Sequence, residues 1–142
     1  SINNEVEILL KNQLQLSPGQ TFPSIKGYDL NGSIKDISTI SDKKIIFFWS
    51  YDQNAHFNSI YQKINSLENK YLSYKLISLN INDDFDKWKS NYKTTKNVTE
   101  LQTNDFEYMS KKLILDNLNK VFIVDENNII QTIGSINDFI RN

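Results

Sequence analysis

His56 is the one side chain whose type suits acid–base chemistry near neutral pH, and the chain contains no thiol. It is the only histidine, and none of the 142 residues is cysteine. An imidazole titrates close to physiological pH, so it can act as a general base or as a metal ligand. Without cysteine the chain has no thiol nucleophile, no disulfide and no thiolate ligand. His56 is therefore the first candidate for a general base or a metal ligand.

The residues near His56 in sequence give it little support as a catalytic or metal-binding group. A zinc site needs three or four ligands, and Asp52 is the one other ligand type close by. A Ser–His–Asp arrangement would have to recruit Ser50 or Ser59, and nothing around either serine indicates an activated hydroxyl. We expect no catalytic residue, no metal and no cofactor, with His56 hydrogen-bonded in the first turn of a helix.

A second cluster of possible ligands comprises Asp83, Asp84 and Asp86. This run lacks the glycine and the terminal bidentate glutamate of an EF-hand calcium loop. Carboxylates in the first turn of a helix are favoured by the helix dipole and cap free N–H groups. We therefore expect a capped, solvated helix start and no calcium site.

The pattern around His56 predicts a buried strand followed by a helix. Lys44 to Trp49 form a nearly continuous apolar run, which is typical of a strand covered on both faces. Asp52 or Asn54 would cap the helix that follows. The apolar stripe of that helix consists of Phe57, Ile60, Tyr61, Ile64, Leu67 and Tyr71.

The remaining segments alternate between strand and helix patterns. Asn31-Gly32 favours a tight hairpin turn with positive φ at both residues. The other predictions are a helix over Glu5–Leu16, hairpin strands over Ser24–Leu30 and Ser33–Ile37, a strand over Tyr74–Ile81, a helix from Asn82, a loop over Lys93–Thr99, a helix over Asp105–Leu115, a hairpin of Val121–Val124 with Ile129–Ile133, and a helix over Ile136–Ile140. This order predicts an α/β fold: a central mixed sheet, helices on both faces and an N-terminal β-hairpin extension.

The length of the chain and its balance of charges limit the classes of partner that we expect. A chain of 142 residues suits one compact domain, which we divide into an N-terminal helical segment (1–16) and a main domain (17–142). Lysines and arginines number 16 against 17 acidic residues, so we expect no nucleic-acid partner, which would require a basic face. No apolar run approaches the roughly 20 residues of a membrane span, so we expect no transmembrane segment.

Three stretches resemble the thioredoxin-like proteins of the TlpA/ResA (redoxin) kind. Leu16–Pro23, followed by Tyr28–Ser33, resembles the opening hairpin of that family. Ile46–Ser50 resembles its central strand, which normally continues into W-C-x-x-C. Val121–Ile130 resembles its final hairpin. The resemblance covers nearly the whole chain after Leu16 and implies a thioredoxin-like three-layer sandwich.

The chain departs from that family at both elements of the redox site. Counted without a gap, the C-x-x-C positions fall on Gln53, Asn54, Ala55 and His56, and the cis-proline position falls on Asn119. A cis bond before a residue other than proline costs about 3 kcal/mol, so we expect a trans bond before Asn119. Loss of both elements indicates a domain without redox activity.

We expect this domain to bind or scaffold another protein or peptide, at a surface of Tyr51, Asp52, Asn117, Leu118 and Lys120 beside the former site. Alternatives are a non-thiol enzyme centred on His56, a homologue of thiol-disulfide oxidoreductases that has lost its activity, and one piece of a larger exported or lipid-anchored assembly that is recognised through its helical faces. The resemblance implies a bacterial protein in the periplasm or anchored outside the membrane.

Overall fold

Strands and helices alternate through the computed structural model, which describes residues 2–92 and 97–140. Within these ranges no helix combines the length and apolarity needed to cross a membrane. In chain order the elements are α1 (Ile2–Gln15), β1 (Lys26–Tyr28), β2 (Ile34–Asp36), β3 (Lys44–Trp49), α2 (Asn54–Lys70), β4 (Lys75–Asn80), α3 (Phe85–Ser90), β5 (Val98–Thr103), α4 (Phe106–Leu113), β6 (Lys120–Val124), β7 (Ile130–Ser135) and α5 (Ile136–Ile140).

The seven strands form one mixed sheet in the order β2-β1-β5-β4-β3-β6-β7. β3 runs parallel to β4 and antiparallel to β6, and β5 runs parallel to β4. The hairpin strands β1 and β2 extend the sheet beyond β5. Helices cover both faces, so the predicted three-layer α/β sandwich is confirmed.

The apolar run of β3 is explained by burial on both faces, because all six of its residues are buried. Ile46 and Phe48 belong to the core on one face, together with Met109 of α4. Ile45 and Phe47 belong to the core on the other face, which includes Ile60 and Leu67 of α2. The predicted stripe of α2 therefore faces the sheet, although the side chains of Tyr61 and Ile64 lie outside the described part of the structure.

β5 was not predicted from the sequence. A loop was expected over Lys93–Thr99, but Val98 and Thr99 begin this strand, and residues 93–96 lie outside the described ranges. Glu100, Gln102 and Thr103 are polar yet buried, so the strand shows no apolar run and no simple alternation. Its burial depends on polar partners in neighbouring elements, and these cannot be seen in a local pattern.

Helix α1 is the first described element, and the β1–β2 hairpin follows it. β1 and β2 pair antiparallel as predicted, with Gly27 opposite Lys35. Their turn differs, because the Asp29 carboxylate accepts hydrogen bonds from the backbone N–H groups of Asn31 and Ser33 at 2.9 and 3.0 Å. Within this loop only Gly32 has positive φ, at 78°. The expected two-residue turn is wrong because Asp29 organises a longer one.

Lys44 opens β3 with an ammonium group buried among neutral acceptors. Its Nζ donates to the carbonyl oxygens of Ile37 and Ile40 at 3.2 and 2.6 Å and to Asn128 Oδ1 at 3.2 Å. Burial lowers the pKa of the Lys44 ammonium, and the more distant Asp125, Asp42 and Asp36 oppose this shift. The side chain thereby joins the turn before β3 to the β6–β7 hairpin.

Replacing Lys44 with methionine should destabilise the fold. Lys44→Met keeps an apolar stem of similar length but leaves three buried or partly buried oxygen acceptors without their donor. We expect the free energy of unfolding to fall by about 2 kcal/mol, as measured by urea denaturation. Lys89→Met, at an exposed position of α3, is the matched control and should change stability little. Equal stability of Lys44→Met and wild type would show that this cluster contributes nothing.

Candidate functional site

The residues predicted to stand at the C-x-x-C positions, Gln53 to His56, lie where β3 leads into α2. Gln53 is the N-cap residue of α2, and its side chain makes no capping hydrogen bond. Ala55 is exposed and His56 is half-buried in the first turn, while the Asn54 side chain lies outside the described part of the structure. The expected cap by Asp52 or Asn54 is wrong, because Asp52 is bonded elsewhere and Asn54 is already the first helical residue.

A network of polar side chains holds the loop between β3 and α2. Ser50 Oγ donates to Asn82 Oδ1 at 2.7 Å, and Asn82 Nδ2 donates to Asp52 Oδ2 at 3.0 Å. Lys87 of α3 forms an ion pair with the other Asp52 oxygen at 3.2 Å. The backbone N–H of Asp52 donates to Ser50 Oγ at 3.1 Å. These contacts fix the loop from three directions, so Asp52 has a structural role.

The network continues into the sheet through polar residues that local sequence patterns do not identify. Tyr51 N donates to Asn80 Oδ1 at 3.2 Å. Asn80 Nδ2 donates to Gln102 Oε1, and Gln102 Nε2 donates to the carbonyl oxygen of Asn82. Asn80, Asn82 and Gln102 lie at or beyond the carboxyl ends of adjacent parallel strands, which meet at one edge of the sheet. This arrangement can be predicted from the sequence only if β5 is recognised as a strand, and β5 was not predicted.

Tyr51 is held between aromatic and charged neighbours. Its ring packs against the buried cluster of Trp49, Phe57 and Trp88, and Lys87 Nζ lies 4.9 Å from the ring centroid. Burial raises the pKa of the Tyr51 hydroxyl, as do the charges of Asp84 and Asp52. Tyr51 therefore stays neutral near pH 7 and is only half-exposed at the surface.

The residues predicted at the second cysteine position and at the cis-proline position lie in contact with each other. His56 Nε2 lies 3.2 Å from Asn119 Oδ1, so the two side chains are hydrogen-bonded. The peptide bond before Asn119 is trans, as expected. Asn117 Oδ1 accepts from Asn119 N at 2.9 Å, which orders the loop before β6. Lys120 Nζ donates to the Ile114 carbonyl oxygen at 2.7 Å and so points away from this contact.

The surroundings of His56 restrict access to both of its ring nitrogens. A hydrogen bond to the Asn119 amide oxygen requires a proton on Nε2, so the neutral ring keeps Nδ1 as an acceptor. This Nδ1 is buried and has no hydrogen-bond partner among the described residues. Burial lowers the pKa of the His56 imidazole, although Asn119 and the Leu118 backbone oppose the shift. One ring nitrogen is therefore occupied and the other is inaccessible to a substrate.

The acidic run caps a helix. Asp84 is the N-cap of α3, and its Oδ1 accepts from Lys87 N at 3.0 Å. Asp86 lies in the first helical turn, as expected from the helix dipole. Among the residues that the structure describes, no three His, Asp or Glu side chains converge in an arrangement that would hold a metal ion.

The imidazole of His56 should titrate below the ordinary value of 6.5. Because it is the only histidine, its ring signals can be followed by NMR without assignment of other histidines. Asn119→Ala removes an interaction that raises this pKa, so the variant should titrate lower still. Because the pKa is lower in the folded chain, the unfolded chain binds the proton at a higher pH. The free energy of unfolding should therefore fall as the pH drops below 6.5 and through the pKa of the folded chain. Asn58→Ala on the exposed face of α2 should leave the titration unchanged; a wild-type value at or above 6.5 would contradict this geometry.

Comparison with solved structures supports the fold. The thioredoxin domain of a thiol-disulfide oxidoreductase from Bacteroides vulgatus is 16% identical, with a TM-score of 0.60, over 88% of this chain and 93% of that chain. A thiol:disulfide interchange protein from Bacteroides sp. is 17% identical, with a TM-score of 0.65, over 88% and 87%. A thiol peroxidase from Chromobacterium violaceum is 15% identical, with a TM-score of 0.67, over 84% and 75%. The sequence matches no protein-family model and no curated protein. The chain therefore has a thioredoxin-like fold, without the cysteines that dithiol exchange requires.

Proposed function

We propose that this domain is a binding or scaffolding module that recognises another protein or a peptide beside the former redox site. The surface that we assign to binding, the α2 entry surface, consists of Tyr51, Asp52, Gln53, Asn117 and Leu118. The observation that carries the proposal is the hydrogen bond between His56 and Asn119. Thiol chemistry is absent, yet the two segments that would border the dithiol are still joined by a specific contact.

The loop on the α2 side of this surface is already ordered. Asp52 is fixed by Asn82 and Lys87, and the Tyr51 backbone is fixed by Asn80. Binding therefore costs little loop ordering, and a preorganised surface keeps more of its contact energy as affinity.

The exposed groups suit a peptide better than a charged polymer. Gln53 and Asn117 are exposed amides, and Leu118 adds a half-exposed apolar side chain. Amides can donate and accept hydrogen bonds, which matches the alternating N–H and C=O groups of a peptide backbone. Two nearby cations are already engaged, because Lys87 is paired with Asp52 and Lys120 Nζ donates to the Ile114 carbonyl oxygen.

An enzyme centred on His56 is less consistent with the geometry, because neither ring nitrogen is available to a substrate. The alternative that this chain is a homologue of thiol-disulfide oxidoreductases that has lost its activity is compatible with the binding role. It would account for the origin of the domain. We further propose that the protein is bacterial and works in the cell envelope. This rests on the family resemblance and on the Bacteroides proteins among the similar structures.

Site-directed photo-cross-linking in bacterial cells that produce this chain tests the binding surface. A photoactivatable residue at Asn117 should give a discrete cross-linked product. Gln53→Arg places a bulky charge at the centre of the surface and should lower that yield about tenfold, equivalent to about 1.4 kcal/mol of binding. Asn58→Arg, exposed on the same helix away from the surface, should leave the yield unchanged. No product from Asn117, or equal loss with both arginine variants, would contradict the proposal.

A further inference from the structure

Helix α1 presents an apolar stripe that the rest of the fold does not cover. The stripe consists of aliphatic side chains that are each 45–77% exposed: Ile2, Val6, Leu9, Leu10 and Leu14. Residues at this spacing recur on one side of an α-helix. From Ile2 to Leu14 the stripe extends over about 18 Å, at 1.5 Å per residue. An exposed apolar surface of this kind marks an interaction site.

The rotation of α1 is fixed by its contact with α4. Asn12 is buried, and its Nδ2 donates to the Lys111 carbonyl oxygen at 3.1 Å. Asn12 lies on a different side of the helix from the stripe. The hydrogen bond therefore turns the stripe outward, and α1 cannot bury it by rolling against its own domain without breaking this bond.

The charges on α1 argue against a membrane surface as the occupant. The helix carries Glu5 and Glu7 against a single Lys11. Helices that lie on anionic membranes have polar faces rich in lysine and arginine. The near absence of cations favours a protein occupant, and specifically another helix with its own apolar stripe.

The same charges complement a second copy of α1 in the antiparallel orientation. Glu7 and Lys11 lie one turn apart on the same flank of the stripe. In an antiparallel pair that places Ile2 of one copy opposite Leu14 of the other, Lys11 of each copy lies only about 3 Å along the axis from the position opposite Glu7 of its partner, which gives two opposite-charge pairs. A parallel pair would instead bring Glu7 close to Glu5 of the other copy, and like charges at this spacing repel.

We propose that this chain forms a homodimer through antiparallel pairing of α1, with Ile2, Val6, Leu9, Leu10 and Leu14 of both copies forming the buried seam. The contact between a single pair of 14-residue helices is small compared with the roughly 1,200–2,000 Å² of stable interfaces. The dimer is therefore reversible and concentration-dependent. It leaves the α2 entry surface free and does not depend on the binding role proposed above.

Sedimentation analysis of the full chain from about 1 µM to about 1 mM, a range that covers weak association, tests the pairing. Wild type should shift from monomer to dimer, and Val6→Glu/Leu10→Glu should stay monomeric with unchanged circular dichroism. Ile8→Glu is the matched control, because Ile8 is exposed on the same helix but outside the stripe; it should dimerise as wild type does. A wild type that stays monomeric throughout, or a Val6→Glu/Leu10→Glu variant that still dimerises, would overturn the proposal.

The absence of cysteine makes the orientation measurable, since any introduced thiol is unique. With a short thiol-reactive cross-linker, Ile2→Cys should react with Leu14→Cys in a mixture and only weakly with itself. Glu7→Lys should weaken the dimer about fivefold or more, and Glu7→Lys/Lys11→Glu should restore it. Efficient cross-linking of Ile2→Cys to itself, or a double charge variant weaker than the single one, would exclude the antiparallel pair.

Discussion

Strand β3 is buried on both faces of the sheet, and this burial fixes where α2 begins. A shift of β3 by one residue would exchange the side chains facing its two cores, so Ile46 and Phe48 cannot trade places with Ile45 and Phe47 without losing their packing. The end of β3 therefore delivers Gln53 to the helix N-terminus and His56 to its first turn. β6 pairs antiparallel with β3, and the loop before it brings Asn119 to the same edge of the sheet.

At that edge, hydrogen bonds occupy the place that the family resemblance assigns to a dithiol. The contact between His56 and Asn119 joins α2 to the loop before β6. Beside it, Ser50, Asp52 and Asn82 form a polar network that continues to Gln102 in the sheet. Buried polar networks specify a single arrangement when their members are satisfied. The described side chains therefore give this edge a defined shape, which the proposed binding surface needs.

Much of the fold could be predicted from the sequence, because β3, α2 and the β6–β7 hairpin carry strong apolar patterns. The helix start at Asp84 was also predictable from local capping chemistry. The predictions that failed depend on contacts between residues that are far apart in the sequence. Strand β5 is buried although it contains the polar residues Glu100, Gln102 and Thr103. The hydrogen-bond partners of Gln102 lie about 20 positions away in the sequence. The same reason explains the wrong cap for α2, since the Asp52 carboxylate bonds to Asn82 and Lys87 rather than to the helix. Family resemblance located His56 and Asn119, but only the structure shows that they touch.

The central claim is that Gln53 and His56 occupy the positions of a redox dithiol, and reintroduced thiols test it most directly. Gln53→Cys/His56→Cys should form an intramolecular disulfide under mild oxidation, because these positions at the start of α2 match the spacing of the family motif. The oxidised pair should resist thiol labelling, and the reduced pair should accelerate insulin reduction above the wild-type background. Gln53→Cys/Asn58→Cys, with the second thiol on the exposed side of α2, should do neither. If the first pair stays fully labelled and inactive, or behaves no differently from the second, the claim is contradicted.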